Sequence, residues 1–125
     1  MPENAEIWIL EDDADYAATM SEFLGMAGHI VYDVLNNLVM FEATVNSGKM
    51  FSDPKKGILI ADGNLQPGDT SGRDGARAVA VFRKQYPDRP PLIIGRSSGF
   101  VSGADYQMKA GDVSNSQLAE EITKL

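Results

Sequence analysis

The sequence contains no cysteine, one histidine and one tryptophan among its 125 residues, and it is short of basic side chains, with 11 Lys and Arg against 18 Asp and Glu. Without cysteine there is no disulfide, no thiolate metal site and no cysteine nucleophile. His29 stands at the start of an apolar segment with no partner nucleophile, so it is read as a surface or strand-entry residue and histidine chemistry is set aside. A formal net charge of -7 offers no basic face for counterion release at phosphates, which argues against nucleic acid as a partner. No apolar run is long enough for a signal peptide or a membrane span, and a cytoplasmic protein with no membrane attachment is expected.

What is present is enough apolar surface for one core: 43% of the residues are hydrophobic, and residues 1–125 are read as a single domain. Ile7-Trp8-Ile9-Leu10 and Ile58-Leu59-Ile60-Ala61 are uninterrupted apolar runs, the pattern of strands buried on both faces. Each stops at acid: the first at Glu11-Asp12-Asp13, the second at Asp62. Further strands are expected at Ile30–Leu35, at Leu92–Ile94 and, shortest, near Tyr106-Gln107-Met108. Between them, Tyr16, Met20, Phe23, Leu24 and Ala27 share a helix face. Leu38, Phe41 and Val45 follow a cap at Asn36 or Asn37, and Val79, Phe82 and Tyr86 mark a third helix stopped by Pro87, Pro90 and Pro91. Ser114 and Gln117 form a capping-box pattern, with Val113 and Leu118 as its hydrophobic staple, ahead of a last helix carrying Ile122 and Leu125. Strands alternating with helices imply right-handed crossovers and a parallel sheet covered on both faces.

In such a sheet the chemistry gathers at the carboxyl ends of the strands. Glu11, Asp12 and Asp62 all fall at such ends, and if the first and third strands are neighbours the three carboxylates stand close enough to require raised pKa values or a cation. An all-oxygen cluster of this kind suits magnesium, which is held by one or two carboxylates plus a phosphate oxygen. Lys109, after the fifth strand, can bring a positive charge to the same rim. An aspartate nucleophile, a divalent cation and a lysine are the parts needed to form an acyl phosphate. Taken singly each residue has a plainer role: Asp12 and Asp13 as helix caps, Asp62 as a turn former before Gly63, Lys109 as a solvated lysine.

In order, Ile9-Leu10-Glu11-Asp12-Asp13, Ile60-Ala61-Asp62-Gly63-Asn64-Leu65 and Tyr106-Gln107-Met108-Lys109 resemble the receiver domains of two-component response regulators, over nearly the whole chain. The resemblance implies a flavodoxin-like α/β fold, a doubly wound five-stranded parallel sheet of order 2-1-3-4-5. It implies a phosphoacceptor at Asp62, and magnesium held by Asp12 directly, by Glu11 through water, by Asp62 and by the backbone carbonyl of Asn64. Asp13 then caps the first helix, and Lys109 pairs with the phosphoryl group. The family also places a hydroxyl at the end of the fourth strand, coupled to an aromatic side chain on the fifth. Tyr106 fits the aromatic position. Counting from Pro91 puts Arg96 at the hydroxyl position, whereas matching Ser98-Gly99-Phe100 to a Ser-Gly-aromatic ending puts Ser97 there; Ser97 is taken, with Arg96 left open.

Three departures stand out. The loop from Gly63 to Gly75 is long, with Leu65, Gly68, Gly72 and Asp74-Gly75 resembling a longer variant, and Ala110 replaces the family's proline after the lysine. Only residues 95–105 separate the fourth strand from the fifth, too few for a crossover with a full helix, so helix 4 is expected to be absent or reduced to about one turn. The resemblance implies a phosphoacceptor that is no enzyme beyond its own phosphorylation and dephosphorylation. Its expected partners are a histidine kinase or phosphotransfer protein and a downstream protein, with a second copy in a homodimer left open. The alternatives are a degenerate receiver that binds protein without phosphorylation and a magnesium-dependent phosphohydrolase. The last is disfavoured because no second aspartate lies two residues beyond Asp62 to act as general acid. A flavodoxin-like nucleotide binder is disfavoured by an acidic first loop without phosphate-cradling glycines.

Overall fold

In a computed structural model, residues 4–65 and 71–125 are described; Gly68 lies outside them. Five strands, β1 (Glu6–Leu10), β2 (Ile30–Leu35), β3 (Gly57–Ala61), β4 (Leu92–Gly95) and β5 (Tyr106–Gln107), form one parallel sheet in the order β2-β1-β3-β4-β5. The helices are α1 (Ala14–Met26), α2 (Leu38–Asn46), α3 (Arg73–Gln85) and α4 (Asn115–Lys124), with a 3₁₀ turn at Pro54–Lys56. This is the flavodoxin-like architecture expected from the sequence.

The apolar strands are continuous because each of their faces has a helical layer to cover. Ile7 and Ile9 of β1, Ile58 and Ile60 of β3 and Ile94 of β4 point to one side, where Ala17, Met20 and Leu24 of α1 and Leu118, Ala119 and Ile122 of α4 meet them. Leu10, Leu59, Ala61 and Ile93 point to the other, against Phe41 and Val45 of α2 and Ala78, Val79 and Phe82 of α3. Burying one such Leu, Ile or Phe contributes about 1.5–3 kcal/mol, so the two layers fix the register of the central strands. Asn37 is the residue that caps α2, its Oδ1 accepting the Met40 N–H at 2.9 Å. The capping box at Ser114 and Gln117 is complete, and Val113 packs in the same cluster as Leu118.

The strand-entry reading of His29 holds and the surface reading does not. The side chain is 5% exposed, and its Nδ1 accepts the Ala5 N–H at 3.2 Å while Nε2 faces Thr123 Oγ1 at 3.1 Å. The ring therefore ties the approach to β1 to the end of α4. β5 is one residue shorter than expected, although the Met108 N–H still reaches the Gly95 carbonyl at 2.8 Å.

No helix lies between β4 and β5, and specific side chains take over its role. Val101 is buried in the α2/α3 layer, and its N–H and C=O are both bonded by the Gln107 amide, at 3.1 and 2.7 Å. That fold-back needs Gly95, since a Cβ there would meet Gln107 Oε1 at 2.7 Å and Val101 Cβ at 2.9 Å. At the far end of the segment Asp105 accepts the Ile93 N–H at 2.7 Å and pairs with both Arg83 and Arg89. Arg83 also donates to the carbonyls of Tyr86, Asp88 and Pro91. A crossover without its own helical hydrogen bonds has its buried backbone groups satisfied in this way.

Candidate functional site

The pairing of β1 with β3 ends at Leu10 opposite Ala61, so the next residues, Glu11 and Asp62, leave the sheet side by side. The Asp62 N–H donates to the Leu10 carbonyl at 2.9 Å and the Glu11 N–H to the Leu35 carbonyl at 3.0 Å, which holds both acids to the rim of the sheet. Glu11, Asp12 and Asp62 each present a carboxylate oxygen within 4.8 Å of the others. Asp13 stands just beyond: it caps α1, its Oδ1 accepting the Tyr16 N–H at 3.1 Å, and its own N–H donates to Glu11 Oε2 at 3.3 Å. The expected acidic cluster and helix cap are therefore distinct residues.

Crowding three carboxylates has an electrostatic consequence. Glu11 is 6% exposed and its pKa is pushed up to about 9, by burial first, then by its hydrogen bond to Asp62 and the charge there, and by the hydrogen bond to Asp12; the Asp13 N–H works in the opposite direction. The site as folded holds a proton that a cation would displace. Its donors are all hard oxygens, with no nitrogen or sulfur among them, and this set fits magnesium. The backbone of Asn64 lies two residues past Asp62, its N–H 3.4 Å from Asp62 Oδ1, and its side chain accepts the Gly72 N–H at 2.8 Å.

The loop carrying Asp62 is pressed against the start of α3. The Gly75 N–H donates to the Gly63 carbonyl at 3.0 Å, and a Cβ at Gly75 would stand 2.6 Å from Gly63 Cα. Glycine at 75 is thus required by close approach, a signal that the Asp74-Gly75 pair carries in the sequence. A cavity of about 310 Å³ opens above the acids, lined also by Tyr16, Arg96, Ser97, Ser98 and Ala110.

Of the remaining expected residues, Ser97 and its rival Arg96 line this cavity, whereas Lys109 and Tyr106 do not. Arg96 is the residue directly abreast of Asp62, because Ala61 pairs with Gly95 and the Arg96 N–H donates to the Ala61 carbonyl at 2.9 Å. Ser97 is buried one step further on, its Oγ 3.3 Å from where a Gly63 Cβ would lie, and it accepts the Gly99 N–H at 3.4 Å. Lys109 is exposed, and its ammonium forms no ion pair among the described residues. Its carbonyl accepts the Asp112 and Val113 N–H at 3.0 and 2.9 Å and Arg96 Nη1 at 3.4 Å. The peptide from Lys109 to Ala110 is trans. Tyr106 is 42% exposed at the sheet edge. Two side chains were not singled out from sequence as site groups with roles of their own: Tyr16, read only as part of a helix face, and Arg96, read only as a rival to Ser97. Arg96 is 2% exposed with its guanidinium carbon 6.0 Å from the Tyr16 ring centroid.

No protein-family model matches the chain, and no curated protein matches it in sequence. Solved structures do match in fold. The receiver domain of a sensor histidine kinase from Pseudomonas aeruginosa PAO1, which has a magnesium ion coordinated in its active-site cleft, superimposes with a TM-score of 0.69 at 17% identity, covering 97% of this chain and 96% of that one. A CheY-like response-regulator receiver domain from Methanospirillum hungatei JF-1 gives 0.67 at 17% identity over 96% and 91%. A pilus assembly-related protein from Burkholderia pseudomallei K96243 gives 0.68 at 15% identity over 99% and 90%. With a five-stranded parallel sheet of order 2-1-3-4-5 and an acidic cluster at the carboxyl ends of β1 and β3, the chain has the fold of a response-regulator receiver domain.

Proposed function

We propose that the chain is a phosphoacceptor of two-component signalling, phosphorylated on Asp62 in the presence of magnesium by a histidine kinase or phosphotransfer protein. The observation that carries this reading is the convergence of Glu11, Asp12 and Asp62 within 4.8 Å at the rim of the sheet. Glu11, Asp12, Asp62 and the Asn64 carbonyl would hold the ion, which when bound would neutralise charge on the phosphoryl oxygens. Asp62 has the geometry of a nucleophile. It sits at a strand end, its backbone is fixed to Leu10, and its carboxylate faces a cavity open to a donor. One Asp62 oxygen attacks phosphorus, the bond from phosphorus to the donor oxygen or nitrogen breaks, and the donor leaves with the electron pair. The protein turns over nothing beyond its own acyl phosphate, and it signals by protein contact.

Intact mass after incubation with acetyl phosphate and magnesium tests the reading. The wild-type chain gains one phosphoryl group, and Asp62→Asn and the magnesium-free sample do not. A folded wild-type chain that gains nothing overturns it. The second reading, a module that binds protein without phosphorylation, is favoured by one observation: Lys109 forms no ion pair among the described residues.

A further inference from the structure

Among the described residues, Arg96 and not the lysine expected from sequence lines the cavity above Asp62. Arg96 is 2% exposed and follows β4 directly. The pleat alternates Ile94 to the α1/α4 face and Gly95 to the other, so Arg96 returns to the α1/α4 face, as Asp62 does after Ile60 and Ala61. Neighbouring strands lie about 4.8 Å apart, and both side chains line the cavity above the acids.

The guanidinium is only partly engaged. Nη1 donates to the Met108 carbonyl at 3.0 Å and the Lys109 carbonyl at 3.4 Å, Nη2 donates to Asn115 Oδ1 at 3.1 Å, and Nε is buried without an acceptor among the described residues. It forms no ion pair with Glu11, Asp12 or Asp62. The hydroxyl of Tyr16, another residue lining that cavity, is likewise buried with no partner among the described residues. Two buried donors without a partner among the described residues, on side chains that line one cavity, leave room for a further acceptor there.

Building on the phosphoacceptor reading, we propose that Arg96 binds the phosphoryl group once it is on Asp62, and that in doing so it releases the turn between β5 and α4. The phosphoryl group adds negative charge and three acceptor oxygens beside a guanidinium whose present acceptors are two neutral carbonyls and one amide. A guanidinium can meet phosphate through two parallel bonds between ionised partners, which add both energy and geometric specificity. A fork turned toward Asp62 cannot keep all its bonds to Met108, Lys109 and Asn115. The segment 108–115 is then the part of the surface that reports the chemical state, and Tyr16 supplies a second donor from α1.

The test uses the full chain held phosphorylated by excess acetyl phosphate and magnesium. Its first readouts are on the wild type: the Arg96 Nε–H resonance, assigned by its loss in Arg96→Lys, and amide exchange across residues 108–115. The resonance shifts and exchange in that segment rises on phosphorylation. In Arg96→Met and Arg96→Lys, both checked for folding by thermal melt, acyl-phosphate formation slows by about tenfold or more and exceeds the effect of Lys109→Ala. If the wild type gains its phosphoryl group but the Nε–H resonance and the exchange of 108–115 are unchanged, the role of Arg96 is overturned while the phosphoacceptor reading stands. If the wild type gains no phosphoryl group, both fall.

Discussion

Replacing Glu11 by Gln should make the metal-free protein more stable at neutral pH, against the usual expectation for a buried polar residue. Glu11 is 6% exposed, and its pKa is pushed up from 4.5 to about 9 by burial and by Asp62 and Asp12. Because the folded pKa lies above the unfolded one, the fold binds the extra proton between pH 4.5 and about 9, and stability is lost as pH rises through that window. At pH 7 the full difference amounts to about 3 kcal/mol, which screening by water at the open cavity reduces to roughly 2 kcal/mol. Glutamine is neutral and nearly isosteric. It keeps an oxygen for the Asp13 N–H and a donor for Asp62, so the substitution removes the charge problem and little else. In thermal melts without divalent ions, Glu11→Gln should exceed wild type by about 8 °C at pH 7.5, given about 4 °C per kcal/mol for a domain of this size. The gap should close at pH 4, and magnesium should narrow it by stabilising the wild type alone. Equal melting temperatures at pH 7.5, or a variant less stable than wild type there, would refute the reasoning.

Other perturbations test the remaining features of the structure. Magnesium affinity, read by isothermal titration calorimetry, should rise from pH 6 to pH 8, because the proton on Glu11 has to leave as the ion enters and is held less firmly as pH rises. Asp105→Asn leaves Arg83, a partly buried side chain with its pKa lowered first by burial, without its carboxylate; urea unfolding should show a loss of about 3 kcal/mol. Gln107→Ala orphans the N–H and C=O of the buried Val101, which costs about 1–3 kcal/mol and should raise amide exchange in residues 96–105 while leaving that in α1 unchanged.

Much of the site was legible because strand ends are. Two apolar runs that stop on acid, at Leu10 and Ala61, give the neighbours Glu11 and Asp62 once the strands pair, and parallel pairing follows from the alternation of strands with helices. The missing crossover helix was legible by counting, since residues 95–105 are too few to hold one. What was illegible depended on direction rather than order. Lys109 follows β5 as the resemblance requires, yet its side chain is turned to solvent, and nothing in the one-dimensional pattern distinguishes a lysine that points at a phosphoryl group from one that points away. Arg96 and Ser97 were rivals for one position because the alignment had no anchor between Pro91 and Tyr106. Register settles which one stands abreast of Asp62, and Ser97 lies on the opposite side of the pleat, near Gly63 and Val101. His29 was read as a possible surface group because its partners, Ala5 and Thr123, are distant in sequence.

The absence of a helix between β4 and β5 narrows where a change of state can travel. A helix can shift as a rigid body while keeping its own hydrogen bonds, but this crossover borrows its bonds from elsewhere. Val101 is held by Gln107, Gly103 packs so closely on α3 that a Cβ would stand 2.7 Å from Val79 Cγ1, and Asp105 is clamped by two arginines and the Ile93 N–H. Moving 101–105 therefore costs several buried bonds at once. Its neighbour on the site side is tied more loosely: Ser97 is buried and its carbonyl accepts the Ala110 N–H at 3.2 Å, but the only bond within 97–100 is from the Gly99 N–H to Ser97 Oγ at 3.4 Å, and the stretch ends at Phe100, which is 67% exposed. On the phosphoacceptor reading, a signal generated at Asp62 has two yielding exits, residues 97–100 and the turn at 108–115 held by Arg96, with the rigid segment 101–105 between them. Phosphorylation-dependent exchange confined to those two stretches is what this arrangement requires, and a cooperative change across all of 95–105 is what it forbids.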